Sequence, residues 1–203
     1  MKRYNRIAFI KCGWAEYYQG DRVRGRHGYI QDREAHEKYN FVQNTELDTE
    51  QYQIYVPPIA GGKKAPMASL AERDKSEGWL LVFVAAEEGN KRLKIVGWYD
   101  NASFLGEYRL RTVFPVEGEQ ETPTDKGLAF SYCITAPKAV WVPPDERTDD
   151  AIIPGRHLGS TSVAYINGNG RSVKRDVWRR ALRDKAIAFI EAFEEKHTGG
   201  RNE

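Results

Sequence analysis

The sequence predicts an α+β fold: a small barrel-like or mixed β-sheet with flanking helices, closed by one C-terminal helix. Three observations carry this. Short apolar, β-prone runs recur along the chain between Gly and Pro punctuation. One of them, WLLVFVAA from Trp79 to Ala86, is apolar throughout, which marks a central strand buried on both faces. A long stretch of helical period stands near the end, from about Ser172 to Lys196. With 203 residues, 40% of them hydrophobic and 12% aromatic, the chain can bury a substantial core. No internal repeat, low-complexity linker or composition shift divides it, so residues 1–203 read as a single domain.

The first strand spans about Arg6 to Cys12, within IAFIKCGWAEYY. Gly13 lets the chain turn directly after it, and Trp14 then stands at the sheet edge with Tyr17 and Tyr18 behind. The polar, Gly-punctuated segment to Tyr39 reads as loop, with a short helix at Asp32 to Tyr39. Gln51 to Val56 alternates as a strand does, and Pro57-Pro58 ends it. Ala65 to Lys75 has room for one short helix. After Trp79 to Ala86, a turn containing Gly89-Asn90 leads to LKIVGWY, Leu93 to Tyr99, as the hairpin partner. Tyr108 to Phe114 alternates and reads as a further strand, and Val116 to Lys126 as an exposed acidic loop. Phe130 to Val142 is a strand that turns at Pro137, ends in Trp141 and is stopped by Pro143-Pro144. Ser162 to Ile166 is a short strand. In the closing helix Trp178, Leu182, Ala186, Phe189, Ile190 and Phe193 repeat at steps of three and four and so share one face.

Net charge is only +2, so distribution matters more than the sum. Arginines gather between Arg22 and Arg33 and between Arg171 and Arg183, and acids gather elsewhere. Cys12 and Cys133 both lie in apolar runs, as buried reduced thiols do, and zinc-type cysteine spacing is absent. No apolar run reaches the roughly 20 residues of a membrane span and no signal-peptide pattern is present, so the expectation is a cytoplasmic protein without a membrane partner.

Catalytic motifs are missing. The sequence has no nucleophile elbow, P-loop or dinucleotide fingerprint, and the four histidines are scattered. We therefore expect no enzyme activity, no catalytic residues, no metal site and no cofactor. GRHGY and PGRHLGS set His27 and His157 beside arginines. A nucleotide-processing domain using one of them as general base is the competing catalytic reading. What the sequence offers instead is aromatic. Trp14, Trp79, Trp98 and Trp141 lie at strand ends or edges, and Trp14 and Trp98 follow glycine. Rings beside a flexible basic loop are what a planar, anionic ligand needs: faces to stack on and cations for phosphate. The plain alternative is that these rings are core and the arginines a solvated surface. The chain would then be a protein-interaction domain.

Taken together, IAFIKCGWAEYYQG, the pair WLLVFVAA and KIVGWYDNA, and FSYCITAPKAVWVPPDERT resemble YTH domains and the related EVE domains of the PUA-like superfamily. They are similar in particular to sensor regions joined to HNH nucleases in modification-dependent restriction enzymes. The resemblance implies a small PUA-like β-barrel that accepts one flipped, modified DNA base into an aromatic cage. By position, Lys11, Cys12, Gly13 and Trp14 would line one side of that pocket, and Trp98 and Tyr99 the other. Arg22, Arg24, Arg26, Arg156, Ser160, Thr161 and Ser162 would contact the backbone or the base edge. This sequence has no HNH motif, so any nuclease partner would be a separate chain or a segment outside this sequence. The alternative within the same resemblance is an RNA-binding PUA-like protein that recognises modified or structured RNA.

Overall fold

The computed structural model describes residues 6–25, 36–45, 52–58, 65–66, 76–90, 92–111, 131–147, 163–166 and 173–198. Its strands are β1 (Ile7–Lys11), β2 (Tyr52–Ile54), β3 (Trp79–Ala86), β4 (Leu93–Leu110), β5 (Ser131–Ala136), β6 (Lys138–Trp141) and β7 (Val163–Ile166). Among the described residues one long helix, α1 (Val173–Thr198), follows them, and 3₁₀ turns stand at His36–Tyr39 and Pro144–Glu146. The sheet runs β2-β5-β4-β3-β1-β7, with β6 also paired to β4. It is mixed: β1 and β3 are parallel, and the other pairs are antiparallel. The fold is thus α+β. The expected barrel is corrected to an open sheet, because the outermost strands β2 and β7 pair with β5 and β1 and not with each other.

β3 is the partition of the molecule. Leu81, Phe83 and Ala85 face one core, together with Ala8, Ile10, Phe41, Tyr99 and Ile134. Leu80, Val82 and Val84 face a second core, formed with Ile7, Phe9, Trp98 and the helix residues Leu182, Ala186, Ile187 and Ile190. Phe189 and Phe193 pack on the rim of that second core. A strand with both faces covered has no polar side to alternate with, which is why WLLVFVAA is continuously apolar. The side chain of Trp178 lies outside the described ones.

β4 runs on where the sequence suggested two strands. The segment expected to start anew at Tyr108 belongs to β4 as far as Leu110, and residues 112–114 lie outside the described set. Two irregularities against β3 and one against β5 bend it. The residues involved include Asn101 at φ 52° and Gly106 at φ 75°. Alongside it, Gly97↔Trp141 to Asp100↔Lys138 and Ser103↔Thr135 to Phe104↔Ile134 hold one register across Pro137. β5 and β6 are therefore two halves of one strand bent at the proline, as expected. The short helices expected at 32–39 and 65–75 fall mostly outside the described residues, and the four-residue turn His36–Tyr39 is 3₁₀.

Candidate nucleic-acid interface

The loop that leaves β1 is fixed from several sides. Trp14 and Arg24 face each other in an isolated antiparallel bridge, with both backbone hydrogen bonds at 2.7 Å. Between them, the Asp21 carboxylate accepts from the N–H groups of Glu16 (2.8 Å), Tyr17 (3.0 Å) and Gln19 (3.0 Å). A carboxylate collecting successive N–H groups in this way ties a loop into one turn. Tyr18 takes a left-handed backbone (φ 55°), buries its ring, and donates its hydroxyl hydrogen to Gly13 O at 2.6 Å. The buried Glu37 carboxylate accepts the Gly13 N–H at 2.8 Å. The turn thus sends Tyr18 inward and leaves Tyr17 half exposed, at 50%.

Tyr17 stacks on Trp141, the last residue of β6, with centroids 5.4 Å apart and planes 28° apart. Trp141 Nε1 donates to Glu16 O at 2.7 Å, which pins the indole to the loop. The same carbonyl also receives Arg147, only 1% exposed. Its Nε donates to Val142 O (2.8 Å), Nη1 to Ala15 O (2.7 Å) and Nη2 to Glu16 O (2.6 Å). Its guanidinium carbon also sits 4.6 Å from the centre of the Trp14 ring, a cation–π distance. Burial lowers the Arg147 pKa, and the neighbouring Tyr18 and Cys12 oppose that shift. Tyr17 and Trp141 thus form a two-ring ledge tied through the Glu16 carbonyl to Arg147, whose guanidinium lies over the Trp14 ring. Arg22 and Arg24 are exposed in the same loop, Arg24 paired through its backbone with Trp14, and Lys94 Nζ lies 5.9 Å from the Trp14 ring centre.

The six residues expected to form a cage do not converge. Lys11 and Trp14 are partly exposed, whereas Cys12 and Gly13 are buried. Cys12 Sγ lies 3.6 Å from both the Tyr18 hydroxyl and Val84 O. Burial first, and then the Glu37 charge, raise its pKa far above a thiol's ordinary range, so it is a neutral packing group. Tyr99 is wholly buried, stacks on Phe41 at 4.7 Å and donates its hydroxyl hydrogen to Asn40 O at 2.7 Å. Trp98, 1% exposed, points to the opposite face of the sheet and packs edge-on to Phe193 at 5.4 Å. Consecutive strand residues face opposite ways, so Trp98 and Tyr99 cannot share one pocket. Of the expected backbone contacts, Arg22 and Arg24 are placed as described, and Arg26, Arg156, Ser160, Thr161 and Ser162 lie outside the described residues. His27 and His157 lie outside them too. Among the described residues no group of three or more His, Cys, Asp or Glu side chains is placed to hold a metal ion. Among them, too, no helix is long and apolar enough to cross a membrane.

Sequence reasoning named Tyr17 and Trp141 without joining them, and it passed over Arg147 and Lys94. The available signal was PPDER: an arginine just after a Pro-Pro stop is placed to turn back toward the strand end, where Arg147 Nε bonds Val142 O. Compared with protein-family models, with curated proteins and with solved structures, the chain gives no match.

Proposed function

We propose that this chain is a nucleic-acid-binding module that stacks an extruded base on the Tyr17–Trp141 ledge and reads a modified base in DNA, as a sensor acting with a nuclease. The observation that carries the reading is the half-exposed Tyr17 ring stacked on Trp141 and pinned to a loop that also holds Trp14, exposed Arg22 and Arg24, with Lys94 near the Trp14 ring. An aromatic face beside cations is the common chemistry of single-strand and flipped-base binding. The ledge is open, so selectivity would come from stacking area and base-edge contacts on one side of the base. A PUA-like relation to YTH and EVE domains is part of the same proposal. It is supported by the sequence segments that carry the resemblance and by the order of strands before a C-terminal helix.

The test is a fluorescence anisotropy titration at fixed low salt. Its probes are one duplex unmodified, the same duplex carrying 5-methylcytosine, 5-hydroxymethylcytosine or N6-methyladenine, and the RNA of the same sequence. One modified duplex is expected to bind tightest. Tyr17→Ala is expected to weaken that complex about tenfold, from a stacking contribution of roughly 1 to 3 kcal/mol, and Tyr17→Phe to leave it intact. Tighter binding to RNA replaces the DNA reading with the RNA one. Unchanged affinity in Tyr17→Ala removes the ledge from the site.

A further inference from the structure

The cations bordering Trp14 are already engaged by acids. Arg24 Nη1 lies 3.4 Å from Glu88 Oε2, and Lys94 Nζ lies 3.4 Å from Glu87 Oε2. Both acids stand side by side in the turn joining β3 to β4. There the Asn90 N–H bonds Glu87 O at 2.9 Å and Gly89 adopts φ 80°. Lys94 is held opposite Ala85 in the β3–β4 ladder, and Arg24 opposite Trp14 in the bridge, so both cations are placed by backbone pairing. The Arg24–Glu88 pair is open to water, at 60% and 73% exposed, whereas in the other pair Glu87 is 51% and Lys94 only 17% exposed. Exposed ion pairs are weak and exchange readily with other anions.

We propose that Glu87 and Glu88 form an acidic cover on the cations of the Trp14 edge, which a phosphodiester must displace to reach Arg24 and Lys94. This rests on the reading of the ledge as a base-stacking surface and adds a specificity device to it. The cover weakens backbone contact for every nucleic acid alike, so a strand that offers no base to the ledge is held poorly.

A double-mutant cycle tests it, with a short fluorescein-labelled single-stranded DNA at low salt as probe. Glu88→Gln is expected to tighten binding about two- to fivefold, and the same substitution in an Arg24→Gln background to give no gain. Glu195→Gln, an exposed position of α1 on the far side of the sheet, is the control and is expected to leave affinity unchanged. A gain that persists in the Arg24→Gln background reflects the overall field and overturns the cover, as does no gain in the parent. Absence of binding by the parent and by Glu88→Gln overturns the base-stacking reading itself.

Discussion

Arg147 brings a charge into the interior and spends its donors on backbone carbonyls of two separate segments. A buried guanidinium is costly unless its fork is satisfied, and the carbonyls it serves are equally costly to leave bare. Arg147→Met is therefore expected to lower unfolding free energy by about 3 kcal/mol or more. Arg147→Lys should recover little of this, because an ammonium cannot reproduce three directed bonds from one plane. Urea denaturation of the two variants checks both expectations, and retention of parental stability by Arg147→Lys contradicts them. Arg111 is the contrasting case. It is buried beside Tyr39 O (3.0 Å) and Asn40 Oδ1 (3.1 Å), and burial draws its pKa down to about 10, which still leaves it charged at neutral pH. One arginine ties β4 to the His36–Tyr39 turn, and the other ties β6 to the Trp14 loop.

At the scale of elements, β4 is defined by its irregularities. Gly97 is flat against the Phe41 ring: a Cβ there would lie 2.6 Å from Phe41 Cε1 and 2.7 Å from Val140 O. The glycine before Trp98 is thus a seat for a core ring. Gly97→Ala is expected to cost about 1 to 3 kcal/mol by overpacking. In a Phe41→Leu background the same change should cost less, since the obstructing ring is gone, and thermal denaturation of the four proteins measures the coupling. An uncoupled pair would place the strain on Val140 O instead. The element types and most boundaries were legible because each has its own period: β3 as an apolar run, α1 as a repeating face, β5 and β6 as one run interrupted by Pro137. The site was legible only in part. Period 2 in β4 sets Trp98 and Tyr99 on different faces, and the resemblance overrode that arithmetic. Arg147 escaped notice because two of its three carbonyl partners are more than 130 positions away, and backbone carbonyls leave no trace in residue type.

Across the whole molecule, buried titratable groups set the response to pH. Burial pushes the Cys133 thiol from 9.0 up to about 12 and raises Cys12 and Tyr99 as well. The sign follows from proton counts. Above pH 9 an unfolded thiol loses its proton while the folded one keeps it, so stability is complete below pH 9 and declines toward pH 12. Each thiol contributes a slope of about 1.4 kcal/mol per pH unit. Urea unfolding at stepped pH is expected to show this decline, and Cys133→Ala to remove about half of the slope just above pH 9, whereas an unchanged slope would refute the assignment. The same arrangement gives folding a late step. Arg147 joins Ala15 across 132 positions, and the Tyr17–Trp141 stack joins the two ends of nearly the same span. Closing so long a loop comes after local strands have paired. The ledge is therefore expected among the later features to form during refolding, with recognition available only once the β6 end of a chain has met its Trp14 loop, which would make the surface its own certificate of a finished fold.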